Sequence, residues 1–389
     1  MREYLTVFLV AVTVTYLLAV LAREVALRFG AVAHVRDRDV HAVPIPYFGG
    51  IAMYGGLVAA YVVARHLPFL SRAGDQVLAD AGVVLAAGGM VCALGVLDDL
   101  FELDALTKFG GQVLAAGFLV YNGVQFYYIW LPGDEVLTLD ISQAALATVF
   151  LVVATINAVN FIDGLDGLAA GVIGLGAVGF FLFSYKLAAV NGESLAITAA
   201  LLCAALAGAC VGFVFHNFHP ARIFMGDSGS MLIGMVLAGS ALTLTGYFPA
   251  VDLAESGSGR STSLLPVLLP LLLPISILIV PFADLALAVV RRTMRGQSPF
   301  APDKHHLHHR LLEYGHSHRR AVLVMWLWAA LIALGGVAVS LYQGRLVMVV
   351  LVLWFAATVL LTFVVPRVDT PTWAQVDQPE DPSDVLPEA

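Results

Sequence analysis

ATINAVNFIDGLDGLAA occupies residues 154–170 of a chain in which 60% of residues are hydrophobic and only 12% are charged. Polar side chains recur in it at every third residue, at Asn157, Asn160, Asp163 and Asp166. On a helix, this spacing keeps the amides and carboxylates roughly on one face. The alternative is a polar turn between two hydrophobic helices, but turns seldom use two amides and two acids in strict register. Carboxylates at the end of an apolar helix are costly near a bilayer, so this stretch indicates a functional site.

The rest of the chain predicts an all-α, polytopic integral membrane protein. Its 389 residues have a mean hydropathy of +0.88, and hydrophobic runs of about 17–25 residues, long enough to span a bilayer, recur along it. We predict about eleven spans, the first of them too long for a signal peptide. They lie near 4–28, 48–66, 77–98, 108–123, 142–158, 167–187, 195–215, 229–247, 264–291, 321–341 and 346–365.

Lysine and arginine residues predict the orientation. If the N-terminus is outside, the loops near 29–47, 99–107, 159–166, 216–228 and 292–320 are cytoplasmic. These loops and the adjacent span ends then hold about twice as many basic residues as the opposite loops, in agreement with the positive-inside rule. The polar clusters fall on the same side. We therefore expect a multi-pass protein of the cell membrane with a cytoplasmic active site.

The composition also predicts the domain organisation of the chain and the kinds of partner that it binds. One membrane domain is expected over residues 1–366, followed by a disordered, acidic cytoplasmic tail over 367–389 that is rich in Pro, Asp and Glu. Cys92, Cys203 and Cys210 all fall inside hydrophobic runs and indicate no disulfide framework. No basic patch interleaved with aromatic residues is present, so nucleic acid is not an expected partner.

Two further motifs bring carboxylates to the same side. The third span ends in Asp98 and Asp99, which could hold a divalent cation or provide a base, although a solvated helix end is the alternative. The sequence FMGDSGS at residues 224–230 places Asp227 in a glycine- and serine-rich loop that enters a helix. Such a loop can receive a phosphate, and Asp227 beside it would be a natural magnesium ligand. Helix capping by Asp227 is the alternative, and both roles can coexist.

The last predicted inner loop contains a cluster of histidines, SPFAPDKHHLHHR, at residues 298–310. Structural zinc is one interpretation, but no cysteine or acid completes a tetrahedral ligand set at the usual spacing. Imidazole and cationic groups that donate to a pyrophosphate or a sugar fit better. In the ninth span, prolines at positions 266, 270, 274 and 281 predict a bent helix, which could open a groove for a lipid chain.

These motifs, in this order, resemble those of the polyprenyl-phosphate N-acetylhexosamine-1-phosphate transferases. The resemblance covers roughly residues 28–330, and the DKHHLHH version of the histidine motif is similar to the branch that uses UDP-N-acetylglucosamine. It implies transfer of a sugar 1-phosphate from the UDP-sugar to a membrane polyprenyl phosphate, with release of UMP, as the first membrane step of cell-envelope polysaccharide synthesis. It also implies magnesium as the cofactor, with manganese as the alternative.

The resemblance assigns roles by matching position. Asp98 matches the acid that deprotonates or positions the lipid phosphate, and Asp99 supports it. Asp227 and Asn160 match metal ligands. Asp163 and Asp166, expected near the nucleotide or sugar, are predicted to be catalytic together with Asp98 and Asp99. The residues predicted to bind substrate are Lys108, Asn157, Asn217, Phe224, His306, His308, His309 and Arg310.

Three alternatives stay open at this point. One is transfer of phospho-N-acetylmuramoyl-pentapeptide in peptidoglycan synthesis, a related reaction whose enzymes usually carry a shorter histidine run. A second, of another class, is a secondary transporter, which predicts an inverted repeat and polar residues at mid-span; neither is convincing here. The third concerns assembly, since a homodimer is as compatible with the sequence as a monomer.

Overall fold

The computed structural model describes residues 1–32, 45–131, 135–191, 195–245, 293, 316–342 and 344–364. Within these residues the chain forms ten α-helices, a short 3-10 helix at Leu70–Arg72 and one two-stranded antiparallel hairpin. The helices are α1 (Arg2–Phe29), α2 (Gly49–Ala64), α3 (Asp75–Phe101), α4 (Ala105–Tyr121), α5 (Ile141–Ile162), α6 (Leu168–Asn191), α7 (Leu195–Asn217), α8 (Gly226–Thr245), α9 (His318–Leu341) and α10 (Arg345–Phe363). The strands are β1 (Tyr128–Leu131) and β2 (Glu135–Thr138).

The helices confirm the all-α membrane fold class. Eight of the described helices are long and apolar enough to cross a membrane; α2 is a shorter apolar helix, and α4 has 17 residues. Ten of the eleven predicted spans coincide with α1–α10. The ninth predicted span, at 264–291, lies outside the described residues, as do the histidine cluster and the tail at 367–389.

The hairpin between α4 and α5 is the element that the sequence did not predict. Tyr128 pairs with Thr138 and Leu131 with Glu135. Each strand has only four residues, too few for an alternating pattern to stand out from the hydrophobic background. Their aromatic and β-branched residues are nevertheless typical of strands, and the intervening Pro-Gly-Asp sequence is typical of a turn.

Helix α8 lies at the centre of the bundle. It packs against α3, α5 and α7, with further contacts to α2 and α6, and nearly all of its membrane-length segment is buried. By contrast, α10 packs mainly against α9 and exposes almost its whole surface. Such exposed leucines, valines and phenylalanines suit the hydrocarbon interior of a bilayer, because lipid tails are as apolar as these side chains.

Main-chain contacts hold the first turn of α8. The N–H groups of Gly49 and Gly50, at the start of α2, donate to the carbonyls of Phe224 and Met225, each over 3.1 Å. The α carbons of Gly50 and Gly95 lie so close to the backbone at Ser228 that a methyl group on either glycine would collide with it. Helices α2 and α3 therefore reach α8 at backbone distance, and the position of Asp227 is defined by main chain on two sides.

Candidate active site

The polar motifs meet at one end of the bundle. The ends of α3, α5 and α7 and the beginnings of α4, α8 and α9 contribute to this end through the side-chain contacts described below. Asp227, in the first turn of α8, is central. Its Oδ1 accepts a hydrogen bond of 2.9 Å from the Nδ2 of Asn160, and its Oδ2 lies 3.3 Å from the Nζ of Lys108. The structure thus brings together the two residues predicted as metal ligands.

Lys108 connects two carboxylates that are far apart in sequence. Its Nζ donates to the Oδ2 of Asp98 over 2.9 Å as well as to Asp227. The lysine lies one turn into α4, whose N-terminus is capped by Asp104: one carboxylate oxygen accepts from the N–H groups of Leu106 and Thr107, each over 3.0 Å. This cap fixes where α4 begins and therefore where the ammonium group lies.

Asp98 and Asp99 have different partners although they are adjacent in sequence. Asp98 faces Lys108 and also accepts the N–H of Leu103 over 2.8 Å. The carboxylate of Asp99 accepts the N–H groups of Asp227 and Ser228, over 2.8 and 3.3 Å. Asp99 therefore caps the N-terminus of α8, whereas the sequence analysis predicted that it supports Asp98. Gly226, with φ of +70°, makes this possible, because a β-carbon there would collide with the Asp99 carboxylate.

Asp163 follows the last residue of α5 and adds a further carboxylate to this end. Burial, reinforced by the charges of Asp227, Asp99 and Asp166, raises its pKa to about 7. The residue nevertheless keeps partial contact with solvent, so a proton can exchange there. Asp98, Asp99, Asp163 and Asp227 thus lie at one end of the bundle, where Lys108 contacts Asp98 and Asp227. The described part of this site carries an excess of negative charge that favours a cation.

Asn157 lies one helical turn before Asn160 and faces α4. Its Nδ2 donates to the Oε1 of Gln112 over 2.6 Å and to the carbonyl of Val153 over 2.8 Å. Gln112 is buried in α4, and its Nε2 lies 3.9 Å from the sulfur of Met231 in α8. The amide of Asn157, predicted to bind substrate, is thus engaged in packing α4 against α5.

A second group of predicted residues surrounds the turn after α5. The Oδ2 of Asp166 accepts the Nδ1–H of His219 over 2.8 Å and the backbone N–H of Ala221 over 3.1 Å. The next residue, Gly167, donates its N–H to the Oδ1 of Asn217 over 2.9 Å. The Nδ2 of Asn217 donates in turn to the carbonyl of Ile223 over 3.1 Å. Through these hydrogen bonds, Asp166 and Asn217 join the α5–α6 turn to the α7–α8 loop. Both side chains are buried.

Phe224 stands at the other side of that loop. Its N–H donates to the carbonyl of Pro46 over 2.8 Å, and its ring lies 6.3 Å from the ring of Tyr47 at an angle of 45°. The side chain is only partly buried. An aromatic face at this position is compatible with the predicted stacking on a base.

Asp166, His219 and His318 each bring one donor atom within 4.8 Å of the others and could hold a metal ion by distance alone. The two imidazole rings, however, are stacked, with centroids 4.2 Å apart and planes 17° apart. An imidazole binds a metal close to its ring plane, and two stacked rings cannot both direct a nitrogen in this way at one ion. The ring nitrogens also serve hydrogen bonds to Asp166. The oxygen-rich group around Asp227 is therefore the better candidate for a hard cation such as magnesium.

Sequence reasoning missed His219, His318 and Trp326 as parts of this site. His219 lies in the same polar loop as Asn217, which was the available signal. His318 and Trp326 lie in α9, where a histidine and a tryptophan at a span end look like ordinary interfacial residues. His306, His308, His309 and Arg310 lie outside the described residues, so their roles remain predictions.

Comparison with known proteins shows the family to which the chain belongs. The decaprenyl-phosphate N-acetylglucosaminephosphotransferase of Mycolicibacterium smegmatis is 43% identical over 353 residues, which cover 90% of this chain and 85% of that protein. The pattern of glycosyl transferase family 4 matches residues 81–245. The chain belongs to glycosyl transferase family 4. The matched region runs from α3 to α8 and contains every predicted site residue that the structure describes.

Other relatives show how widely the family likeness extends. The decaprenyl-phosphate N-acetylglucosaminephosphotransferase of Mycobacterium tuberculosis (strain CDC 1551 / Oshkosh) is 43% identical, over 89% of this chain and 84% of that protein. The "Probable undecaprenyl-phosphate N-acetylglucosaminyl 1-phosphate transferase" of Bacillus subtilis is 31% identical, over 84% of this chain and 82% of that protein. The family resemblance drawn from the motifs is confirmed. These names favour neither of the two alternative activities, pentapeptide-sugar transfer and transport.

Proposed function

We propose that this protein transfers N-acetylglucosamine 1-phosphate from UDP-N-acetylglucosamine to a polyprenyl phosphate, giving polyprenyl-diphospho-N-acetylglucosamine and UMP. The observation that carries the proposal is the group formed by Asp98, Lys108, Asn160 and Asp227 at the end of apolar helices. An anionic headgroup anchored in the membrane can reach this group while its lipid chain stays among the helices. The acceptor and donor groups named by the relatives support the choice of substrates.

The residues fit a magnesium ion. Carboxylate and amide oxygens are the ligands that this hard cation prefers, and it usually takes few protein ligands together with substrate phosphates. The ammonium group of Lys108, between the carboxylates of Asp98 and Asp227, marks a position where a positive charge is stabilised. Asp227 and Asn160 would hold the ion, with Asp163 close enough to add to its attraction. When bound, magnesium neutralises the charge on the pyrophosphate of the nucleotide-sugar.

The reaction that these groups serve is a phosphoryl transfer. An oxygen of the lipid phosphate attacks the β-phosphorus of the UDP-sugar, the bond between that phosphorus and the bridging oxygen breaks, and UMP leaves with the electron pair. Because the attacking phosphate is already anionic, Asp98 acts mainly to orient it through Lys108. The ammonium of Lys108 also reduces the repulsion between the two phosphorylated substrates.

The nucleotide is expected on the side of Asp166, Asn217 and Phe224. The exposed part of the Phe224 ring offers a stacking surface for uracil. Asp166 and Asn217 hold the turn that would face the base and ribose. The basic residues in the predicted inner loops support a cytoplasmic location for this end of the bundle, on the side where UDP-sugars are made.

The proposal is tested by measuring UMP release from the purified protein with UDP-N-acetylglucosamine, polyprenyl phosphate and magnesium. Asp227→Asn should reduce turnover to a few per cent of wild type or less, because the substitution removes a metal-binding charge while keeping the side-chain shape. Asp75→Asn is the matched control at the opposite end of α3, where the residue is exposed, and it should keep wild-type turnover.

Three outcomes would contradict the proposal. Wild-type turnover of Asp227→Asn at ordinary magnesium would remove Asp227 from the metal site. UMP release with UDP-N-acetylmuramoyl-pentapeptide but not with UDP-N-acetylglucosamine would point to the peptidoglycan reaction. Absence of UMP release with every UDP-sugar tried, from protein that is folded and monodisperse, would remove the enzyme assignment.

A further inference from the structure

Two separate parts of the chain, the α7–α8 loop and α9, converge on Asp166. His219, in the loop after α7, donates to its Oδ2 over 2.8 Å, and the N–H of Ala221 donates to the same oxygen over 3.1 Å. From α9, the Nε2 of His318 accepts the backbone N–H of Asp166 over 3.2 Å. The carboxylate is therefore held by the α7–α8 loop while the backbone of the same residue is held by α9.

The two histidines also support each other. Their rings stack with centroids 4.2 Å apart. The neighbouring Arg319 donates its Nε–H to the carbonyl of His219 over 2.9 Å, which ties the same loop residue to α9 a second time. The side chain of Asp166 is 1% exposed, whereas that of His219 is 31% exposed. A carboxylate so buried depends on its hydrogen-bond donors for its orientation.

Gly167, the next residue, is also held from both sides, by α7 and by α9. The N–H of Gly167 is held by Asn217 at the end of α7, and its carbonyl accepts the indole N–H of Trp326, in α9, over 3.2 Å. Trp326 also packs against Phe218, with ring centroids 5.6 Å apart. The Asp166–Gly167 turn is thus clamped between the α7–α8 loop and α9 at two successive residues.

We infer that His219 and His318 are positioning residues that hold the Asp166–Gly167 turn in the geometry required for binding the UDP-sugar. The inference rests on the proposed function, because it takes Asp166 to lie on the nucleotide side of the site. His219 acts through the carboxylate and His318 through the backbone of the same residue. The ring hydrogen bonds described for both histidines go to Asp166, so their effect should fall on nucleotide-sugar binding rather than on the transfer step.

Four variants test the inference. His219→Ala and His318→Ala each remove one hydrogen bond to Asp166. His219→Asn keeps an N–H donor near the position of Nδ1, and His318→Gln keeps an acceptor near the position of Nε2. The control is His316→Ala, which removes a buried histidine two residues before His318 that contacts the carbonyl of Thr362 over 3.0 Å.

The alanine variants should raise the KM for UDP-N-acetylglucosamine about tenfold, the effect expected for one lost hydrogen bond to a charged or buried group. Their kcat and their KM for the lipid phosphate should stay within about twofold of wild type, because only ground-state binding of one substrate is affected. The asparagine and glutamine variants should recover most of the loss. His316→Ala should lower the melting temperature without changing the KM for the UDP-sugar.

A double-variant comparison separates positioning from a general effect on folding. If His219 acts through Asp166, then Asp166→Ala combined with His219→Ala should raise the KM no further than Asp166→Ala alone. Additive effects, equal changes of both KM values, or the same change in His316→Ala would overturn the inference. An unchanged KM in Asp166→Ala would overturn it together with the nucleotide role of Asp166. If the wild-type protein proves to use another UDP-sugar, the proposed donor is wrong, but the same comparison made with that sugar still decides the inference.

Discussion

At the scale of single residues, the carboxyl group of Asp163 loses its proton near neutral pH. Burial, together with the negative charges of Asp227, Asp99 and Asp166, raises its pKa to about 7. A bound divalent cation favours the ionised carboxylate, so cation and proton compete at this position. The site should therefore bind magnesium more weakly as the pH falls through 7.

We predict that the magnesium concentration for half-maximal activity rises by up to about tenfold per pH unit below pH 7, the limit for competition by one proton. Above about pH 8 it should become constant, because Asp163 is then ionised. The measurement is a magnesium titration of UMP release at several pH values. Asp163→Asn should need more magnesium at pH 8 and show a flatter pH profile; an unchanged profile in this variant would assign the titration to another group.

Asp98 and Asp99 show how far the sequence predicts a site at this scale. Their chemistry predicted both as site residues, and both lie at the same end of the bundle as Lys108 and Asp227. Successive helical residues, however, point about 100° apart, so one meets Lys108 from α4 and the other meets the first N–H groups of α8. Which acid takes which partner depends on how three helices pack, and local sequence carries no record of that packing.

At the scale of elements, the position of the first turn of α8 requires that Gly50 in α2 and Gly95 in α3 carry no side chain. A side chain at Gly50 or Gly95 would collide with the main chain at Ser228, which cannot move aside as a flexible side chain would. Any separation of these helices displaces Asp227, because that residue is in the same helical turn. The position of the Asp227 carboxylate therefore depends on the close packing of α2 and α3 against α8.

Gly50→Ala should destabilise the protein by about 1–3 kcal/mol, the usual cost of overpacking, and should lower kcat more than it raises either KM. Gly117→Ala, at a position in α4 where a β-carbon would contact nothing within 4 Å, is the matched control. It should leave turnover unchanged and keep or slightly raise the melting temperature, since alanine favours a helix more than glycine does. Wild-type melting and turnover in Gly50→Ala would show that α2 does not define the position of Asp227.

The helices of this protein could be predicted from its sequence, whereas the β-hairpin could not. Ten long apolar runs were sufficient to predict ten helices, because a run of about 20 apolar residues has few other uses. The hairpin of β1 and β2 was missed because its pairing is a contact between two four-residue segments, each too short to show a period.

At the scale of the whole molecule, the basic residues predict the orientation in the membrane, and this orientation can be measured directly. Ser71 lies in the short 3-10 helix between α2 and α3, and Ala105 begins α4 at the end that contains the site. Both residues are exposed. The three native cysteines are buried, so they should contribute little background to thiol labelling.

Ser71→Cys should react with a membrane-impermeant thiol reagent added to intact cells, whereas Ala105→Cys should react only after the membrane is opened. The two positions lie at opposite ends of α3, so one experiment tests both sides. Both variants should keep UMP release, which confirms that the labelled protein is folded. The reverse labelling pattern would place the site outside and would exclude a cytoplasmic UDP-sugar as the donor.

The contact between Trp326 and the carbonyl of Gly167 has a practical consequence. The chain contains five tryptophans, but this indole hydrogen-bonds to the turn that carries Asp166. Occupation of that turn by a nucleotide should alter the polarity around the indole and hence the wavelength and intensity of its emission. Trp326→Phe would identify that part of the signal by difference. The protein thus carries its own optical reporter, with which stopped-flow fluorescence could follow donor binding in detergent or nanodiscs without a lipid acceptor and without turnover.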